Sequence, residues 1–214
     1  MNGTLQMIDH TILAPSATED MVAKICDEAA KYGFASVCIP PTFVKFAKER
    51  LGGRSAVCTV VGFPLGYNTP EVKEYETRQA IADGAAEVDM VINIGRLKAR
   101  DTGYVTEEIR RLKNACGDKV LKVIIEACLL TEEEKILACK CVTDAGADFI
   151  KTSTGFSTHG ATAEDVKLLR KHVGKDVKVK AAGGIRTREQ AEAMVEAGAD
   201  RLGMSAAVTA FGLE

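Results

Sequence analysis

Two lysines stand where lysine is costly. Lys151 sits inside Phe149-Ile150-Lys151-Thr152, a run apolar enough for a buried strand, and the chain after it turns into Ser153-Thr154-Gly155-Phe156. Lys180 sits in the same kind of place one βα unit on, in Val177-Lys178-Val179-Lys180-Ala181-Ala182-Gly183-Gly184. An ammonium packed inside a strand loses its hydration. Desolvation favours the neutral amine, and a neutral amine is a nucleophile that condenses with carbonyl compounds. Carboxylates fall in comparable places: Asp9 near the end of the first apolar run and Asp89 in the fourth. Two-residue alternation puts Asp89 with Asn93, Lys122 with Glu126, Lys151 with Ser153 and Lys178 with Lys180 on common strand faces. Taken singly, a strand lysine is more often at a solvated end, and a purely structural ion-pair cluster is the competing reading. Convergence of two lysines and an aspartate from separate strands favours chemistry.

A second signal concerns anions. Gly155, Gly183-Gly184, and Gly203 with Ser205 follow the last three apolar runs. Glycines let backbone N–H groups approach an anion closely, and a helix beginning at Ser205 would offer a phosphate seat. Tight turns alone would also explain these glycines.

Such groups need elements to aim them. Short apolar runs at 7–12, 35–39, 56–61, 87–92, 120–126, 148–152, 177–181 and 201–204 alternate with helical stretches at 18–31, 41–51, 69–82, 104–116, 131–145, 162–172 and 187–197, with a short last helix at 205–211. Thr131 with Glu134 reads as a capping box, and Thr18 as an N-cap. A helix end, a glycine and a strand recur at Gly33, Gly84, Gly146 and Gly198, about 50–60 residues apart, the length of two βα units. Eight βα units imply a parallel sheet covered by helices, either a closed (β/α)8 barrel or an open doubly wound sheet. The count of eight favours the barrel, and no GxGxxG follows the first strand to support a dinucleotide fold. No linker divides the chain, so residues 1–214 read as one α/β barrel domain. In a parallel barrel, reactive groups gather at the carboxyl ends of the strands, which is where these polar residues fall.

The rest of the composition narrows the choice. Of 214 residues, 46% are hydrophobic and 27% charged, with a net charge of −2. That balance gives no bulk attraction to nucleic acid or to anionic membrane. The longest apolar segments are far too short to span a bilayer, and the N-terminus lacks the pattern of a secretory signal. Seven cysteines with no zinc spacing read as reduced thiols of a cytoplasmic protein. The scattered histidines 10, 159 and 172 offer no paired metal-ligand spacing.

Several stretches, in this order, resemble the deoxyribose-phosphate aldolase family nearly end to end. They are Ile8-Asp9-His10-Thr11, Val37-Cys38-Ile39-Pro40, Val61-Gly62-Phe63-Pro64-Leu65-Gly66, Glu87-Val88-Asp89-Met90-Val91-Ile92-Asn93, Lys122-Val123-Ile124-Ile125-Glu126, the Lys151 stretch, Lys180-Ala181-Ala182-Gly183-Gly184-Ile185-Arg186 and Arg201-Leu202-Gly203-Met204-Ser205. The resemblance implies a class I aldolase on a (β/α)8 barrel, with no metal and no cofactor. Its reaction reversibly cleaves 2-deoxy-D-ribose 5-phosphate to acetaldehyde and D-glyceraldehyde 3-phosphate. By motif, Lys151 matches the Schiff-base lysine, Lys180 the lysine that tunes it, and Asp89 the acid/base carboxylate. Asp9 and Lys122 match polar residues around the active site, and Cys38 a cysteine near the substrate pocket. The implied partner is a small phosphorylated sugar, and the implied assembly a homo-oligomer. Departures from the family pattern are His159, Tyr67, Ala127, and the Met204 and Ala206 that flank Ser205. Rival readings are another Schiff-base aldolase or transaldolase, and a phosphosugar-binding barrel that senses without catalysis.

Overall fold

Most of the apolar runs place aliphatic residues on one parity and their charged residues on the other, and the fold uses both faces. The computed structural model describes residues 2–213, so Met1 and Glu214, the ends of the expected 1–214 unit, lie outside the described residues. The strands are β1 (Ile8–Thr11), β2 (Ser36–Ile39), β3 (Ala56–Val61), β4 (Glu87–Val91), β5 (Val120–Ile124), β6 (Phe149–Lys151), β7 (Lys178–Ala182) and β8 (Arg201–Met204). They pair in parallel in sequence order, and β8 returns to β1, so the sheet is a closed eight-stranded barrel. The doubly wound alternative is thereby excluded.

Around the barrel run α1 (Asn2–Leu5), α2 (Glu19–Tyr32), α3 (Val44–Leu51), α4 (Pro70–Ala82), α5 (Ile94–Lys98), α6 (Thr102–Cys116), α7 (Glu132–Asp144), α8 (Ala163–His172), α9 (Arg188–Glu196) and α10 (Ala207–Ala210). The caps behave as their chemistry dictates. Thr18 accepts from the Met21 N–H, and Thr131 and Glu134 form the full capping box. The recurring glycines 33, 84, 146 and 198 all take positive φ at helix ends, a region that residues with a Cβ avoid.

Alternation sorts the interior. Outward strand residues such as Val37, Val88, Leu121, Val123, Ile150 and Val179 join the inner faces of the helices in one large apolar core. Inward positions carry Asp9, Cys38, Cys58, Glu87, Asp89, Lys122, Lys151, Lys180 and Arg201. Barrels of this kind usually fill the lumen with branched aliphatic layers; here a connected ionic cluster runs through it beside Val60, Val91 and Ile124.

Several boundaries differ from the sequence reading. The fifth strand stops at Ile124, because Glu126 adopts φ 50 and breaks the extended path. The helix expected at 41–51 opens with a 3-10 turn, Pro41–Phe43, before α3. The last helix is α10 alone, shorter than 205–211. Neither α1 nor α5 was anticipated, since four or five residues are too few to display a helical period. No helix among the described residues is long and apolar enough to cross a membrane.

Candidate active site

Lys151 ends β6, and Lys180 is its in-register partner on β7. Adjacent strands therefore hold both amines at one level of the barrel. The same Asp89 Oδ2 accepts from both, at 2.7 Å from Lys151 Nζ and 2.7 Å from Lys180 Nζ. Asp89 Oδ1 accepts from Lys122 Nζ at 2.8 Å and from the Cys58 thiol at 3.2 Å. Lys180 also pairs with Asp9 Oδ2. Asp9 Oδ1 takes hydrogen bonds from Ser36 Oγ at 2.7 Å and from Arg201 Nη1 at 2.6 Å. Lys122 Nζ lies 2.6 Å from Glu87 Oε2, which is 3.1 Å from Arg201 Nη1. One connected ion cluster thus spans the lumen.

The cluster fixes most of its own charges. Burial alone would raise the Asp89 carboxyl, but the ammonium groups of Lys122, Lys151 and Lys180 outweigh it and hold it well below the usual carboxylate range. Asp9 is likewise lowered against burial, by Lys180, Lys122 and Arg201. Burial works against the ammonium of Lys180, yet Asp89 and Asp9 prevail and raise it above the ordinary lysine value. Lys122 is raised well above that value in the same way, by Asp89, Cys58, Asp9 and Glu87. Lys180 is therefore held as a cation.

Of the two lysines on Asp89 Oδ2, only Lys151 opens to the carboxyl-end mouth of the barrel. The side chain of Lys151 is 4% exposed and that of Lys180 is 0%. Lys151 lines a cavity of about 390 Å3 at the carboxyl ends of the strands, together with Gly155, Gly183, Gly184, Gly203 and Ser205. The glycine set from the sequence and the nucleophile from the sequence therefore meet in one place. Gly203 serves the lysine as well: a Cβ there would come within 2.8 Å of Ala182 Cβ and 3.4 Å of Lys180 Cε. A larger concavity of about 940 Å3 lies between α2 and α10, but it contains none of the ion cluster. The smaller cavity is the site, because the amine opens into it.

The hydroxyl run after Lys151 pins its segment. Thr152 Oγ1 donates to Ala182 O at 3.2 Å and accepts from Ala182 N at 3.1 Å, and Ser153 Oγ donates to Thr152 Oγ1 at 3.1 Å. Two-residue alternation misplaced two residues. Glu126 does not share the Lys122 face: its carboxylate accepts from the Thr154 N–H at 3.1 Å and from the Thr154 hydroxyl, clamping the loop that carries Gly155. Asn93 lies beyond β4 and caps α5 instead of joining Asp89. Lys178 does share the Lys180 face, but at the exposed amino-terminal end of β7, with its Nζ 5.7 Å from the centre of the Phe149 ring. Cys38 is fully buried beside Cys58 and Val60, under Leu13 and Phe63. A hydrogen bond from Cys58 pulls the Cys38 thiol below its ordinary value, against burial.

Sequence reasoning missed four contributors. Arg186 lines the same cavity and adds a guanidinium at its glycine end. Glu87 and Arg201 complete the ion cluster; each stood at the first position of its strand, where a charge reads as solvated. Lys73, fully buried on α4, donates to Gly66 O at 2.6 Å, Val91 O at 2.8 Å and Glu108 Oε1 at 2.7 Å, tying down the loops after β3 and β4.

Two sets of ligand-type atoms converge in the lumen, Cys38 with Cys58 and Asp89, and Asp9 with Cys58 and Glu87. Both are already committed to Lys122: its Nζ lies 3.2 Å from Cys58 Sγ, 2.8 Å from Asp89 Oδ1 and 2.6 Å from Glu87 Oε2. The donor set does not fit a metal ion.

A family model described as DeoC/LacD family aldolase matches residues 4–212. The chain is 60% identical over 205 residues to a deoxyribose-phosphate aldolase of Bacillus cytotoxicus, covering 95% of this chain and 92% of that protein. It is 58% identical over 205 residues to one of Listeria welshimeri, with the same coverage of 95% and 92%. Among solved structures, the tetrameric deoxyribose phosphate aldolase of Aeropyrum pernix superposes with a TM-score of 0.89 at 35% identity, covering 98% of this chain and 89% of that one.

Proposed function

The chain belongs to the DeoC/LacD family of aldolases, and from that premise we propose that it is a class I aldolase reversibly cleaving 2-deoxy-D-ribose 5-phosphate to acetaldehyde and D-glyceraldehyde 3-phosphate. The observation that carries the reading is a lysine opening into a glycine-lined cavity while sharing one aspartate oxygen with a second, charged lysine.

The unprotonated amine of Lys151 attacks the aldehyde carbon of the open-chain sugar. Loss of water from the carbinolamine leaves a protonated imine, an electron sink two bonds from the C2–C3 bond. Asp89 takes the proton of the C3 hydroxyl. The C2–C3 electron pair moves into the imine, giving an enamine on Lys151 and free glyceraldehyde 3-phosphate. A proton returned to the enamine carbon and hydrolysis of the imine release acetaldehyde and regenerate the amine. Lys180, held cationic 2.7 Å from Asp89, steadies the carboxylate throughout. Gly155, Gly183, Gly184, Gly203 and Ser205, with Arg186, receive the phosphate at the far end of the cavity. Asp9 and Lys122 hold Lys180 and Asp89 in place, and Cys38 packs behind them.

No metal or cofactor enters this reading. The seven cysteines carry no disulfide, which fits a reducing cytoplasm. The reading includes a homo-oligomer, as in the Aeropyrum pernix relative; sedimentation at micromolar concentration checks it, and a monomer would remove that element alone. The decisive experiment for the activity is reduction with borohydride in the presence of deoxyribose 5-phosphate, followed by peptide mapping. Stable attachment at Lys151 is expected, and attachment elsewhere overturns the assignment.

A further inference from the structure

The lumen carries two charged groups that lie away from the substrate cavity. Glu87 is the first residue of β4 and Arg201 the first of β8, so both sit at the amino-terminal end, opposite the mouth. Neither lines the cavity that Lys151 opens into. Both are nonetheless wired to it. Arg201 Nη1 is 2.6 Å from Asp9 Oδ1, and the other oxygen of Asp9 holds Lys180. Glu87 Oε2 is 2.6 Å from Lys122 Nζ, which is 2.8 Å from Asp89 Oδ1.

The charges of this cluster almost close. The carboxylates are Asp9, Glu87 and Asp89; the cations apart from Lys151 are Lys122, Lys180 and Arg201. Three face three. Lys151 would be a fourth cation, with no carboxylate of its own, in an interior where uncompensated charge is expensive. We infer that Glu87 and Arg201 act from the amino-terminal end of the barrel as positioning residues that set whether Lys151 carries its proton. Removing the carboxylate at 87 makes a proton on Lys151 less welcome; removing the guanidinium at 201 makes it more welcome. The inference rests on the Schiff-base reading above.

The titratable and charged groups around Lys151 are Asp9 on β1, Cys38 on β2, Cys58 on β3, Glu87 and Asp89 on β4, Lys122 on β5, Lys180 on β7 and Arg201 on β8. Glu126 and Arg186 stand at the mouth. Glu126 is committed to Thr154, and Cys58 is kept a thiol by burial and by the Cys38 sulfur. Cys38 is the one remaining group able to imitate a lysine limb.

The test measures the pH dependence of borohydride trapping on Lys151 and of kcat/KM, for wild type, Glu87→Gln, Arg201→Gln, the double variant and Arg201→Lys. One buried charge at this range moves the acid limb by about one pH unit. Glu87→Gln is expected to move it down and Arg201→Gln up, so on the limb the rate rises and falls about tenfold. The double variant restores the balance and returns the limb toward wild type, whereas structural damage would add. Arg201→Lys keeps the charge and leaves the limb in place. Limbs that stay put, or that move the same way in both single variants, overturn the inference, as does loss of the limb in Cys38→Ala. If Arg201→Gln does not fold, Glu87→Gln and Arg201→Lys still decide. Wild type that is not trapped on Lys151 sinks the Schiff-base reading itself; trapping with an unmoved limb sinks only this inference.

Discussion

Asp89 accepts four donors on two oxygens: Lys151 and Lys180 on one, Lys122 and Cys58 on the other. A single substitution there takes a carboxylate from three lysines at once, and Lys151 has no other. Asp89→Asn keeps the shape but loses the anion. We expect kcat to fall by at least about 100-fold, the low end for general acid–base catalysis. Stability should drop by about 3–5 kcal/mol, the usual cost of leaving a buried charge unpaired. Steady-state rates and a urea midpoint check both. Lys180→Leu is expected to cost a similar factor in rate and to displace the pH profile of trapping; a near-wild-type enzyme with an unmoved profile would refute its role. These three residues were legible because a charge inside an apolar run has few bland explanations. Glu87 and Arg201 were not, since a charge opening a strand reads as a solvated end. Arg186 was quoted within a motif, yet nothing in one sequence says which way a loop arginine turns.

At the scale of elements, the helix caps and the alternation of the strands were readable because each is local: a hydroxyl at an N-cap, a glycine past a helix end, a period of two. The clasp between α4 and α6 was not. Lys73 lies among Glu71, Glu74 and Glu76, so it reads as one more exposed helical charge, whereas it is fully buried against Glu108. Burial lowers the Lys73 amine and raises the Glu108 carboxyl, so both resist ionisation and stay charged through each other. Lys73→Met should therefore cost about 3–5 kcal/mol, and Lys73→Met with Glu108→Leu should recover part of it. A shift of the denaturant midpoint at unchanged m-value measures this. Gly203→Ala would drive a methyl against Ala182 and the stem of Lys180. A cost of about 1–3 kcal/mol is expected from overpacking, together with a fall in kcat that a remote glycine substitution would not produce.

Considered as a whole, the molecule keeps two interiors, an aliphatic one between barrel and helices and an ionic one inside the barrel. The ionic one dictates behaviour in acid. Asp9 and Asp89 are held below their unfolded values near 3.9. Their contribution is present in full above that value and is lost as pH falls toward the lowered folded values. Melting temperature is expected to stay level between about pH 5 and 7 and to drop steeply below about pH 4; a melt that holds level to pH 3 would contradict this. The strict alternation of the strands carries one more consequence. If a strand that carries a buried charge, such as β4, β5, β6 or β7, slid along its neighbour by a single residue, its lysine or aspartate would swing into the greasy helix layer, and its outward aliphatic residues into a chamber of salts. Both errors are penalised together, so the cylinder has one registration in which it closes, and the charges that serve the reaction also proofread its assembly.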